Sequence, residues 1–124
     1  MRILFLGDVV GITGCLKIQN NLLDQIKKKK IDFVIVNAEN AAEEGVGLTK
    51  EICEDFFKSG VNVITTGNHV WDQKDIMNFI DKENRLLRPK NLFEPAPGNG
   101  FGVYTTQENI KIGVLNLMGN VFMK

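Results

Sequence analysis

Three short apolar runs, each followed at once by a small polar cluster, constrain this chain more than any other feature of its sequence. Ile3–Leu6 and Phe33–Val36 contain no polar residue, and Val61 to Thr66 reads as a third strand. Unbroken hydrophobicity suits strands covered on both faces, as in a parallel sheet. Between the runs the apolar residues recur every three or four positions. Cys15, Leu16, Ile18, Leu22, Leu23 and Ile26 share one helical face, with Thr13 the predicted N-cap and Lys27 to Lys30 at the far end. Thr49 is predicted to cap a second helix carrying Ile52, Cys53, Phe56 and Phe57, which Gly60 stops. Asp72, with Asp75 three residues on, predicts the start of a third helix around Ile76, Phe79 and Ile80. Strand and helix alternate as in βαβ units, so the expected class is α/β with a parallel sheet.

Residues 82–100 hold all three prolines and read as irregular, apart from a short strand at Leu86-Leu87 ended by Arg88-Pro89. Phe101 to Thr106 and Ile110 to Leu117, joined by Gln107-Glu108-Asn109, read as a hairpin. No repeat, low-complexity tract or domain boundary interrupts residues 1–124, which are read as a single domain. At 124 residues and 44% hydrophobic, the chain is large enough to bury a core without disulfide or structural metal.

Fifteen basic side chains balance fifteen acidic ones. That balance argues against a surface built to hold a long nucleic acid by bulk electrostatics, so a phosphate partner must be bound locally. The four lysines complement the helix dipole before they suggest a nucleic-acid patch. No apolar run approaches the ~20 residues that span a bilayer, and the first residues lack a signal-peptide pattern. No membrane partner and a cytoplasmic location are therefore expected. Cys15 and Cys53, each beside apolar neighbours, read as reduced core residues.

The polar clusters carry the functional argument. The first run ends in Gly7-Asp8, the second in Asn37-Ala38-Glu39-Asn40, and the third in Gly67-Asn68-His69. In a parallel α/β sheet all carboxyl ends lie along one edge, where ligands bind. Asp8, Glu39, Asn40, Asn68 and His69 therefore converge. Carboxylate and amide oxygens with one imidazole suit divalent metals such as Mn, Fe, Zn or Mg. The cluster holds no serine or cysteine nucleophile. A carboxylate such as Glu39 can bridge two cations, and a two-metal site stabilises attacking and leaving oxygens in phosphoryl transfer.

Each residue also has a plainer reading. Asp8 and Asn68 are common turn formers, and His69, the single histidine, can be a satisfied turn residue. Glu39 is harder to dismiss, because a carboxylate so close to an apolar strand needs a partner. Gly7, Gly11 and Gly14 fail the dinucleotide and phosphate-loop templates, which leaves a metal-free nucleotide-binding module as a distant alternative.

The segments MRILFLGDVVG (1–11), IDFVIVNAENAA (31–42), VITTGNHVWD (63–72) and VLNLMGNVFM (114–123) resemble the YmdB-like branch of the calcineurin-like metallophosphoesterases. GDVVG, NAENAA and GNHVWD in that order form a specific signature. The resemblance implies the N-terminal βαβαβ portion of the layered metallophosphoesterase fold, plus a hairpin. It further implies a phosphodiesterase using two divalent ions, Fe, Mn or Zn, on small cyclic nucleotides of the 2′,3′ type. By motif, Asp8 and Asn40 would bind one metal, Glu39 would bridge both, Asn68 would bind the second, and His69 would donate the proton. Commoner metallophosphoesterases use an aspartate-x-histidine first motif and GD on the second strand, where this chain has Asp8-Val9-Val10 and Glu39-Asn40.

Family members carry further metal-binding histidines, including a GHxH-type motif, in a second half. With His69 its single histidine, the 124-residue chain is expected to be a partial domain whose coordination shell is open on one side. The alternative expectation is a non-catalytic product that binds a partner or self-associates, with the strand near Ile110 to Leu117 as an exposed edge.

Overall fold

The computed structural model describes residues 1–121, so Phe122 and Met123 of the last resembling segment lie outside the described residues. The apolar runs form a four-stranded, wholly parallel sheet in sequential order: β1 (Ile3–Leu6), β2 (Phe33–Asn37), β3 (Val63–Thr65) and β4 (Leu86–Leu87). The helices α1 (Gly11–Lys29), α2 (Lys50–Lys58) and α3 (Ile76–Phe79) occupy the connections. Leu86-Leu87, a dipeptide within the irregular stretch, takes its place beside Ile64 and Thr65 as the fourth strand. An antiparallel hairpin of β5 (Phe101–Thr105) and β6 (Lys111–Leu115) follows.

Alternation along the strands sends side chains to two different covers. On one face Leu4, Leu6, Val34, Val36, Ile64 and Leu86 pack against Cys15, Ile18, Leu22, Cys53 and Phe56 of the helices. On the other, Phe33, Val63 and Leu87 meet Ile112 and Val114 of the hairpin. The hairpin is tied down by Asn116, whose buried Nδ2 donates to the carbonyls of Thr66 (2.8 Å) and Leu87 (3.0 Å). Arg88, also buried, donates to the carbonyls of Pro89, Ala96 and Pro97 and to Glu94, which gathers the proline-rich stretch around one guanidinium. Both cysteines are free and buried, and burial raises their thiol pKa values, so they are inert core residues as expected.

Four local expectations are corrected. β1 is not covered on both faces: Ile3 and Phe5 remain 47% and 58% exposed, because the hairpin extends over β2 to β4 and stops short of β1. α1 begins at Gly11 rather than after Thr13. Its N-cap is Val10, which has no capping side chain; instead the Gly11 N–H donates to the Asn40 carbonyl at 2.9 Å, so tertiary pairing does the work of a cap. The third helix starts at Ile76, and Asp75 does not cap it: its Oδ2 accepts the Lys50 N–H of α2. The third strand is shorter than Val61 to Thr66, running only from Val63 to Thr65. Thr49 does cap α2, accepting the Ile52 N–H, and Gly60 (φ 103°) follows its last turn as expected.

Candidate active site

Parallel register brings the three strand ends together. Asn37 pairs with Thr65 across β2 and β3, and beyond the strands Val10 bridges to Asn40. Val9 N–H donates to the Asn37 carbonyl and Ala38 N–H to the Thr65 carbonyl. The polar clusters are thus stitched backbone to backbone just past the sheet.

Within this edge the sequence-nominated residues form three groups. Asp8 and Asn40 form the first: Asn40 Nδ2 donates to Asp8 Oδ1 at 2.7 Å. Asp8 has φ 48°, a left-handed conformation that aspartate tolerates better than most residues. Glu39 and Asn68 form the second, on the wall of a trough of about 720 Å³ between the sheet and β6, which Phe5, Ile35, Leu115 and Leu117 also line. His69 forms the third with Asp72, Nδ1 to Oδ2 at 2.7 Å. Because a carboxylate only accepts, Nδ1 carries the hydrogen and Nε2 is left outside this hydrogen bond. Asp8 and His69 do not line the trough.

Glu39 is held by close packing. A Cβ built on Gly67 would fall 1.9 Å from Glu39 Oε2 and 2.5 Å from its Cδ, so only glycine leaves room for the carboxylate at this turn. Glu39 Oε2 is buried and has no hydrogen-bond partner, and the same holds for Asn37 Oδ1, both among the described residues. Both orphaned atoms are acceptors on the same trough, so what they lack is an electron-poor partner, a cation or a donor. That donor set fits a divalent metal. Among the described residues no three His, Cys, Asp or Glu side chains group as a metal site, so Asp8, Glu39 and His69 are not brought together into one such cluster.

Two residues of this edge escaped the sequence reading as site residues. Asp72 was assigned to a helix start, yet its i,i+3 spacing from His69 was the available signal. Asn37 was noted only as part of the strand-end cluster, and nothing in the sequence distinguishes its orphaned oxygen from that of a satisfied strand-end amide.

Helices on one face of a parallel sheet, a hairpin on the other, and carboxylates, amides and imidazole at the carboxyl edge define the class: this is a layered α/β domain of the metallophosphoesterase type. A family model described as YmdB-like protein matches residues 4–124, and the chain belongs to that family. It is 43% identical over 123 residues to a Bacillus subtilis (strain 168) protein named 2′,3′-cyclic-nucleotide 2′-phosphodiesterase, covering 99% of this chain and 46% of that one. A crystal structure of a hypothetical protein from Thermus thermophilus superposes with TM-score 0.90 at 32% identity, over 100% of this chain and 47% of that one. A Mycoplasma pneumoniae structure described as a novel phosphatase gives TM-score 0.83 at 40% identity, over 94% and 42%. The chain spans less than half the length of these relatives. Among the described residues no helix is long and apolar enough to cross a membrane.

Proposed function

We propose that this chain supplies one part of the metal site of a phosphodiesterase acting on small cyclic nucleotides of the 2′,3′ type, as a single partial domain over residues 1–124. The observation that carries the reading is the pair of buried acceptors without partners, Glu39 Oε2 and Asn37 Oδ1, at the carboxyl edge of a parallel sheet. The name of the B. subtilis relative supports the substrate class. Two divalent ions, Fe, Mn or Zn, suit the donors, and the reaction belongs in the cytoplasm.

In this reading Asp8 and Asn40 would hold one ion, Asn68 would hold the second, and Glu39 would contribute its carboxylate to both. Bound cations of this kind polarise phosphoryl oxygens and acidify the attacking water. The chain's own residues do the rest. Gly67 fixes the Glu39 carboxylate by leaving no slack around it. Asn40 positions Asp8 through its amide hydrogen. Asp72 holds the His69 ring with Nδ1–H engaged, so that Nε2 can deliver a proton to the leaving oxygen.

A chimera tests these roles: residues 1–124 of this chain replace the matching segment of the B. subtilis relative. A folded chimera should retain Mn through dialysis and hydrolyse a 2′,3′-cyclic nucleotide. Glu39→Gln should lower the metal content, whereas His69→Ala should keep metal and lose turnover. If the folded chimera binds no Mn while the relative does, the ligand assignment is wrong. Undiminished turnover in His69→Ala would remove the proton donor.

A further inference from the structure

β6 has one edge in use and one edge free. In an antiparallel pair alternate residues turn their backbone groups toward the partner strand. Thr106 N–H donates to the Ile110 carbonyl and Asn116 N–H to the Gly100 carbonyl, which sets the alternation. Ile112, opposite Tyr104, and Val114, opposite Gly102, therefore bond β5, while the N–H and carbonyl groups of Lys111, Gly113 and Leu115 point away from it. Among the described residues no other backbone group takes them. The trough runs along this edge: residues 113–119 line it consecutively, side chains of both faces alike, as the rim of a strand does. Past β6 the rim is fixed by Asn91, which accepts the Met118 N–H at 2.9 Å and donates to its carbonyl at 2.6 Å.

Edges that face water are ordinarily guarded by charge, proline or a bulge. From Ile112 to Met118 there is neither a charged residue nor a proline, and the register of β6 is unbroken, so Lys111 guards only its start. Both sides of the opening are apolar. Leu115 and Leu117 are 54% and 62% exposed on the rim, and Phe5 of β1 lies across the trough from them. The one charged side chain lining the trough among the described residues is Glu39, at the site end.

We propose that this edge is the docking site for a further β-strand, which pairs with Gly113 and Leu115 and lays every second side chain on Phe5 and Ile35. At the usual spacing of about 4.8 Å, one strand beside β6 carries the hairpin layer from β2 over β1, the part left open. The occupant is polypeptide of the kind the relatives carry outside the matched segment. This chain covers 46% of the B. subtilis protein and 47% of the T. thermophilus one, and the latter superposes on all of it with TM-score 0.90. The same edge is thus kept in a molecule with more than half its length to place elsewhere. Because the rim is already ordered, a separate chain can fill it as well as a continuous one. The surface is independent of metal binding and of the phosphodiesterase reading.

Co-expression tests it: the 124-residue chain is produced with the part of the B. subtilis relative outside the matched segment as a separate polypeptide. The two should co-purify in equal amounts. Hydrogen exchange at Gly113 and Leu115 should slow at least about tenfold relative to the chain alone, while Ile112 and Val114, already bonded to β5, change little. Leu115→Pro removes the outward N–H and spares the bonds to β5, and should weaken the complex at least about tenfold. Val103→Pro, the same change on the outer edge of β5, should leave it intact. A complex indifferent to Leu115→Pro, with exchange at Gly113 and Leu115 unchanged, overturns the proposal. If the separate segment does not accumulate, the folded chimera gives the same readout within one chain, and exchange at Gly113 and Leu115 as fast as in the chain alone overturns it there. Protection of these two amides that grows with the concentration of the 124-residue chain alone would assign the edge to a second copy.

Discussion

The two faces of the parallel sheet are built from the same kind of residue and end in different states. Against the helices, Phe56, Ile64, Leu86 and Val36 are fully buried, and Leu4 and Leu6 of β1 are partly buried in the same layer. Against the hairpin, Phe33, Val63 and Leu87 are equally buried, but coverage ends at β2 and leaves Ile3 and Phe5 exposed. The trough that opens in the uncovered part runs up to Glu39 and Asn68. Sealing and site therefore belong to different faces: the helix layer supplies stability, and the incompletely covered layer supplies access to the strand ends.

The sharpest way to break this division is on the closed face. Phe56→Ala removes a fully buried ring between α2 and the sheet and should cost about 3–5 kcal/mol, read as a large fall in Tm. Loss of less than about 1 kcal/mol would mean that the helix layer is not the main source of stability.

At the site the balance reverses, because packing there serves a charge. Gly67→Ala places a methyl group within the Glu39 carboxylate, which must move. In the chimera the expected result is a roughly 10- to 100-fold loss of Mn affinity with the circular dichroism spectrum retained. Unchanged affinity would show that Glu39 is not held by Gly67. Glu39→Gln should raise the Tm of the metal-free chain, since it removes a carboxylate with one buried, unpaired oxygen.

Asn116 measures how firmly the hairpin is fastened. Asn116→Ala strands the Thr66 carbonyl and should cost about 1–2 kcal/mol, with faster amide exchange in β5 and β6 than in β1 to β3. Equal exchange in both sheets would contradict a separable hairpin layer.

A smaller effect is expected from Glu83, which ties the start of β4 to α2. Arg85 hydrogen-bonds its carboxylate at 2.8 Å and lies over the Phe57 ring, and this bond holds the Glu83 pKa below its usual value. A depressed carboxyl stabilises the fold above the ordinary glutamate range and loses that contribution as pH falls through its folded value. Since Arg85 is nearly half exposed, screening limits the contribution to at most about 0.5 kcal/mol. Glu83→Gln should flatten the acid limb of Tm against pH and leave the neutral plateau nearly unchanged.

What the sequence made legible follows the same division. Strand runs, the α2 cap at Thr49 and the polar strand ends were readable because each is written in consecutive residues. The start of α1 was misread because its cap is the Asn40 carbonyl, some thirty residues away. Asp72 and Asp75 look like a capping pair, but His69 and the Lys50 N–H claim their carboxylates first. Continuous hydrophobicity in β1 correctly signalled a strand whose two faces are apolar; it could not say that one face would stay open. Glu39 was singled out by its nearness to an apolar strand, whereas its packing on Gly67 depends on register between β2 and β3.

The smallest predicted effect tests the open face directly. Phe5 is 58% exposed on β1, beside Leu115 and Leu117 across the trough, so Phe5→Ser removes little buried surface. Its cost in the isolated monomer should stay within about 0.5 kcal/mol, despite a change of residue nearly as large as that in Phe56→Ala. Buried apolar area, and not residue type, sets the expected ratio between the two substitutions. A loss of more than about 1.5 kcal/mol would mean that Phe5 is covered in solution. Covering by another copy would make the loss vary with protein concentration, whereas covering within one chain would not.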